Sequence, residues 1–304
     1  MGGISSTADG MRILVTGASG FIGRTCLEVF EGDEVLGTFR SRRGDGLAHL
    51  DLLDGQETQR LLDDFRPAAV VHCAARPSVD WGEENPEAAR RVNCDTTLNL
   101  LRETRRIGAR VVFLSTDYVF DGAAGPYDEE AAPHPINVYG RLKLEMEGAV
   151  LDAANRSLVV RTTNVYGFDP ESKNFLMAIL PQLARGETVT VAEDQYGTPT
   201  LVSDLCQTIR RLLDRDTGGV FHVAGPDYLN RVEWARAAAR AFGLDPGCVS
   251  GTRTVRLAQA APRPLRAGLS SKRLASEGLE SPRSLAEGLD AMREAKRRSA
   301  VQPW

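Results

Sequence analysis

Three observations predict an α/β fold built on a doubly wound parallel sheet. Short apolar runs alternate with amphipathic stretches from Met11 to about Leu158. The runs are nearly continuous in Val and Leu, as strands covered on both faces must be. A glycine-punctuated turn follows directly on the first of them. Strand–helix alternation of this kind needs right-handed crossovers, which lay helices on both faces of the sheet.

In chain order, MRILVTG (11–17), DEVLGTFR (33–40), AAVVHCA (68–74), ARVVFLST (109–116) and SLVVRTT (157–163) read as buried strands. Between them, helices are expected at 21–31, 56–65, 86–107 and 136–154. The rhythm turns irregular after about residue 165, where Gly167, Pro170, Pro181, Gly186 and the loop-like GTPT (197–200) punctuate short elements. A further strand, GVFHVAG (219–225), precedes an amphipathic helix over 230–243. Residues 1–10 are small and polar and read as a disordered tail. The chain is therefore expected to divide into a nucleotide-binding unit over 11–165, with 203–225 returning to it, and a smaller substrate-binding region over 166–304.

Composition narrows the function. Among 304 residues, 42% are hydrophobic and 26% charged, an ordinary soluble globular balance. A net charge of −4 argues against nucleic acid or an anionic membrane as partner. No apolar run reaches the roughly 18–20 residues of a membrane span. The five Cys and four His are scattered without metal-ligand spacing, so no metal is expected. Unpaired cysteines of this kind point to a cytoplasmic protein. The expected partner is a small-molecule substrate, and a homodimer is one assembly compatible with the sequence.

VTGASGFIG (15–23) sets Gly17, Gly20 and Gly23 in a GxxGxxG pattern between the first strand and the first helix. Glycines there allow a tight turn and close backbone approach, and the helix N-terminus offers free N–H groups to a pyrophosphate. Ser19, Phe21 and Ile22 belong to the same loop. This context makes the sheet Rossmann-type. The second strand then ends in FRSRR (39–43) rather than in an acidic residue that would hold a ribose 2′-hydroxyl. Arg40, with Arg42 or Arg43, suits a 2′-phosphate, so NADPH/NADP is the expected cofactor.

In PINVYGRLKLE (135–145), Lys143 follows Tyr139 by one helical turn, so the two share a face. The chain has 33 Arg and only 4 Lys. A merely solvated position would ordinarily carry Arg in such a composition. Reducing a ketone needs a hydride donor and an acid for the nascent alkoxide. A free Tyr, with a pKa of about 10, is too weak an acid near neutrality, and an adjacent ammonium lowers that value.

Taken in order, TGASGFIG (16–23), DLLD (51–54), HCAA (72–75), VNCDTT (92–97), STDYVFDG (115–122), YGRLK (139–143) and VRTTNVYG (160–167) resemble the extended short-chain dehydrogenase/reductase superfamily. STDYVFDG, DQYGTPT (194–200) and RPLRAGL (263–269) resemble dTDP-4-dehydrorhamnose reductases within it, and equally the regulatory β subunit of methionine adenosyltransferase. The resemblance implies a catalytic set of Thr116, Tyr139 and Lys143, with Lys143 also gripping the nicotinamide ribose. It implies that Asp51 and Leu52 lie near the adenine, that Cys73, Ala74 and Ala75 line the middle of the cofactor, and that Asn93 sits beneath it. Substrate contacts are expected from Asp117, Trp81, Asn164, Gln195 and Arg266.

Sugar-nucleotide dehydratases of the superfamily carry an acid–base pair after the catalytic Thr. Here Asp117 is followed by Tyr118, which disfavours dehydration. The likeness to the rhamnose-forming reductases breaks at Asn164, where they show Trp, at Arg266, where they show Asn, and at Trp81, where Lys is common. The sequence thus reads as an NADPH-dependent ketoreductase acting on a nucleotide-linked 4-keto-6-deoxy sugar or a related polar keto compound. Two alternatives stay open: a non-catalytic NADP-binding regulatory subunit, to which the tail VQPW (301–304) would suit a docking role, and a sugar-nucleotide epimerase.

Overall fold

The computed structural model describes residues 10–153, 156–215 and 217–299. The expectations for residues 1–9 and for VQPW lie outside the described residues. The first half runs β1 (Arg12–Thr16), α1 (Phe21–Val29), β2 (Glu34–Phe39), β3 (Ala48–His49), α2 (Gly55–Phe65), β4 (Ala69–His72), α3 (Val79–Glu84), α4 (Pro86–Arg90), α5 (Thr96–Ile107), β5 (Arg110–Thr116), α6 (Val138–Ala153) and β6 (Leu158–Thr162). The second half continues with β7 (Val165–Tyr166), α7 (Phe175–Ala184), β8 (Val189–Ala192), β9 (Tyr196–Gly197), β10 (Thr200–Leu201) and α8 (Val202–Leu213). It closes with β11 (Gly219–His222), β12 (Leu229–Asn230), α9 (Arg231–Ala241), β13 (Val249–Thr252), α10 (Lys272–Ser276) and α11 (Leu285–Arg298).

Seven parallel strands form the central sheet in the order β11-β6-β5-β4-β1-β2-β3. Strand order reverses between β1 and β4, and the ends of these strands are where doubly wound sheets hold ligands. Side chains alternate across the sheet as the period of two demands. Ile13 and Val15 pack with Cys26 of α1, with Phe30 just past its end, and with Leu205 and Ile209 of α8. Leu14 points the other way, toward Leu62 of α2 and Leu100 of α5. Val111, Phe113 and Val159 bury against Leu142, Met146 and Val150 of α6. A separate core in the second half gathers Tyr166, Leu180, Val191 and Leu289 around Trp234, which is 1% exposed.

Helix ends follow their local chemistry. Asp54 starts α2 by accepting from the Gln56 and Glu57 N–H groups, and Asn230–Glu233 and Ser284–Glu287 form capping boxes on α9 and α11. One expected helix, 86–107, differs in form. A widened π turn, Arg91–Asp95, is inserted between α4 and α5. Such turns insert an extra residue into the helical ladder and recur at functional sites. This one carries Asn93, whose Oδ1 accepts the Arg76 N–H at 2.9 Å.

Among the described residues no helix is long and apolar enough to cross a membrane, and no three His, Cys, Asp or Glu are grouped to hold a metal. All five cysteines are free.

Candidate active site

Two adjoining cavities open at the carboxyl ends of the strands. They share Gly17, Gly20, Cys73 and Ala75 in their walls. The smaller, about 250 Å³, is further lined by Ser19, Arg40, Leu52, Ala74, Val92 and Thr96. The larger, about 540 Å³, is further lined by Phe21, Thr116, Asp117, Tyr139, Lys143 and Asn164. Ile22 and Gly23 also face the larger one.

The loop between them has the backbone features that a ligand's phosphates would need. Gly17 has φ +67°, and a Cβ on it would lie 2.7 Å from the Ala74 Cα. The chains ending β1 and β4 can approach this closely only because that side chain is absent. Gly20 begins α1 with no side-chain cap, so the first helical N–H groups face the groove unclaimed by a side chain. Arg40 is exposed at the end of β2 against the smaller cavity, with Arg43 exposed on the same loop. Arg42 instead donates to the Ser19 carbonyl and lies 3.4 Å from Glu171. Arg24, in the first turn of α1, pairs with Asp169 and Glu171. These residues fit a dinucleotide: an anion-ready helix end, a close-packed glycine turn and a guanidinium where a 2′-phosphate would lie.

In the larger cavity, Tyr139 and Lys143 occupy one face of α6 beside the end of β5. The Lys143 ammonium donates to the Leu114 carbonyl at 2.8 Å and lies 4.5 Å from the Phe113 ring centroid and 6.0 Å from that of Tyr139. Burial lowers the Lys143 pKa to about 8, partly offset by Cys94, Glu147 and Cys73. Burial raises that of Tyr139, and Asp117 and Tyr118 add to the rise. The net effect on Tyr139 is therefore opposite to the lowering expected from an adjacent lysine. In this arrangement the ammonium is engaged by the Leu114 carbonyl, and desolvation dominates. The phenol is accordingly held in its proton-bearing form.

Thr116 Oγ1 accepts from the Tyr118 N–H and donates to Asp117, both at 3.2 Å. Asp117 is buried, and its other oxygen accepts from Thr163 at 2.6 Å and from the Gly268 N–H at 3.3 Å. It thus ties β5 to the chain after β6 and to the late RPLRAGL segment.

Other expected residues are placed elsewhere. Asn164 lines the cavity in a left-handed conformation, φ +48°, with its amide laid against Gly197, where a Cβ would meet it at 2.1 Å. Asp51 lines a separate open groove with Asp54 and Arg102. Trp81 is half-buried under the Arg76 guanidinium, 3.6 Å from its ring, and joins the apolar cluster below α6. Gln195 is spent on Thr254 and Gln259, and Arg266 is exposed, its backbone bonded to Gly122 and Gly125. Gln195, Arg266 and Trp81 line neither of the two cavities.

Two cations near this site escaped the sequence reading. Lys173 lines the larger cavity and is exposed. The scarcity of lysine that drew attention to Lys143 applies equally to it. Arg231 begins α9 with its guanidinium over the rings of Phe175, at 4.9 Å, and Trp234, at 5.3 Å. Burial lowers its pKa, with Tyr118 and Asp117 opposing. Nothing in the local sequence signals that this helix start faces Asp117.

A doubly wound sheet with this glycine turn, and with a Tyr and a Lys one helical turn apart over the adjoining cavity, defines an extended short-chain dehydrogenase/reductase. Within that class, the chain belongs to the RmlD substrate binding domain family, whose sequence profile matches residues 11–297. It is 34% identical over 277 residues to methionine adenosyltransferase 2 subunit beta of Xenopus tropicalis, covering 88% of this chain and 83% of that one. It is 36% identical over 257 residues to dTDP-4-keto-6-deoxy-D-glucose reductase of Streptomyces niveus, covering 83% and 86%. Among solved structures, dTDP-4-dehydrorhamnose reductase of Bacillus anthracis in complex with NADP superimposes with a TM-score of 0.87 at 28% identity, over 94% of this chain and 99% of that one.

Proposed function

We propose that the protein is an NADPH-dependent ketoreductase of the dTDP-4-dehydrorhamnose reductase type, acting on a nucleotide-linked 4-keto-6-deoxy sugar. The observation that carries this reading is the convergence of Thr116, Tyr139 and Lys143 on the 540 Å³ cavity, next to the uncapped N-terminus of α1. NADPH, held by the glycine turn, Arg40 and the walls at Leu52 and Cys73–Ala75, supplies the hydride when bound. The Tyr139 hydroxyl donates its proton to the alkoxide oxygen. Lys143, charged below its pKa of about 8, stabilises the phenolate left behind. Thr116 Oγ1, which donates to Asp117, turns its proton to the carbonyl oxygen when substrate is bound. The reading includes a cytoplasmic location, which the free cysteines support. NADPH oxidation against a panel of nucleotide-linked keto sugars tests it. Turnover of at least one member is expected, and silence across the panel would overturn the substrate class.

The 2′-phosphate preference is tested separately. NADPH is expected to bind more tightly than NADH, and Arg40→Ser to weaken NADPH by about 10–100-fold, the loss of a charge-assisted bond, with little effect on NADH. Equal affinity of the unaltered protein for both would exclude Arg40 from the role.

A second reading is favoured by one observation: the β subunits of methionine adenosyltransferase match as extensively as the reductases do. On this reading the protein binds NADP and docks on a catalytic partner. Deleting residues 301–304 leaves a reductase active and costs a docking subunit its partner.

A further inference from the structure

Beneath the Tyr139–Lys143 pair lies a buried ionic cluster that the chemistry above does not use. Glu147 is the next residue along the same face of α6, one turn beyond Lys143. Its carboxylate is gripped on both oxygens by Arg161 of β6, at 2.9 and 2.6 Å, and accepts the Ser115 hydroxyl at 2.5 Å. Arg161 in turn reaches His222 of β11 at 3.3 Å and lies over Phe120. All four polar members are buried. A buried ion pair is not by itself a device for stability, because an apolar pair of similar volume serves as well or better. Its position asks for another reason.

That reason lies in three consecutive residues of β5. Leu114 accepts from the Lys143 ammonium through its carbonyl, Ser115 donates to Glu147, and Thr116 lines the reacting cavity. The end of β5 is therefore clamped to α6 at two successive points, just before the residue whose hydroxyl must meet the substrate. Resting on the ketoreductase reading, we propose that Glu147, locked by Arg161, is a positioning residue that fixes the end of β5 through Ser115, and with it the Leu114 carbonyl that receives the Lys143 ammonium beside Tyr139. Arg161, bonded to both oxygens, offsets much of the carboxylate's charge, so the cluster acts on Lys143 mainly through the anchored strand end. The other groups around Lys143 supply no such anchor. Cys73 of the β4 end and Cys94 of the π turn are thiols whose pKa burial and neighbours raise, and His72 of β4 is held neutral, its pKa lowered to about 3 by burial. Leu114 and Phe113 present only a carbonyl and a ring. Glu147 is the remaining carboxylate among the groups acting on the ammonium.

The test reads Lys143 directly. The chain has only four lysines, so 13Cε-lysine NMR of the cofactor-free protein resolves its titration. The unaltered protein is expected to titrate near pH 8 at this position. Glu147→Gln should move the midpoint down by about one unit, since a carboxylate is lost and the strand end bearing the Leu114 carbonyl loses its anchor. Because that variant leaves Arg161 buried and unpaired, Glu147→Gln with Arg161→Met, a neutral pair, is measured in parallel, and the same direction is expected because both variants loosen the Ser115 anchor. In turnover, the alkaline decline of kcat should move down with the midpoint, leaving activity at pH 8 about fivefold below the unaltered enzyme. A folded double variant whose Lys143 midpoint stays in place would reduce the cluster to a structural role and overturn the proposal. Absence of turnover in the unaltered protein would overturn the ketoreductase reading instead, and the NMR midpoint would still decide the role of Glu147.

Discussion

Tyr139→Phe is expected to bind NADPH almost as the unaltered protein does and to lose turnover by about 10²–10⁴-fold, the contribution of a positioned general acid. The substitution removes one oxygen. The ring keeps its edge-on contact with Tyr118, 6.0 Å between centroids, so the cavity wall stays in place. The cofactor groove is lined by other elements, and fluorescence titration with NADPH should return nearly the same affinity. Steady-state kinetics should show the loss in kcat rather than in KM, because the proton is given only as the alkoxide forms. Full turnover in this variant would exclude Tyr139 as the acid, whatever the substrate.

Gly17→Ala should damage binding and fold together. Its left-handed φ and the 2.7 Å approach of a Cβ to the Ala74 backbone both penalise the change, and neither neighbour is a flexible side-chain tip that could swing away. A residue forced into such a conformation costs on the order of 1–3 kcal/mol, before the contact is counted. Either the turn opens, spoiling the phosphate-facing loop, or β1 and β4 part at their ends. Gly186→Ala supplies the comparison: its φ is +74°, but nothing lies within 4 Å of the added methyl. A lower melting temperature for Gly17→Ala than for Gly186→Ala, with NADPH affinity down about tenfold or more in the former alone, is the expected result. Equal melting temperatures would mean that the approach to Ala74 relaxes at no cost.

The parts of this site that the sequence made legible are those encoded locally. Gly17, Gly20 and Gly23 are spaced by the geometry of one turn, and Tyr139 and Lys143 by one turn of one helix, so distance along the chain is distance in space. Buried strands were legible for a similar reason: Val- and Leu-rich runs such as 69–72 admit few other environments. The second half offers no such shortcut. Asn164 meets Gly197, and Arg231 and Asp117 act on one another's charge, between segments that no period links. Gln195 and Arg266 belong to recognisable motifs, yet the amide nitrogen of one is given to Thr254 and Gln259, and the other is held in place by its backbone. The π turn escaped because it adds one residue to a helix whose apolar pattern remains continuous on either side.

The edge position of β11 has a consequence for how the chain is made. Residues 219–222 complete the sheet by pairing with β6, and α8 covers the face packed on α1. Until the ribosome has released α8, the apolar face awaiting Leu205 and Ile209 stays wet, and until it has released β11, β6 ends the sheet with a row of open backbone N–H and C=O groups. An exposed parallel edge of this kind is a template for intermolecular pairing. The nascent protein is therefore most exposed to aggregation after the strands through β6 are synthesised and before its last sheet strand arrives.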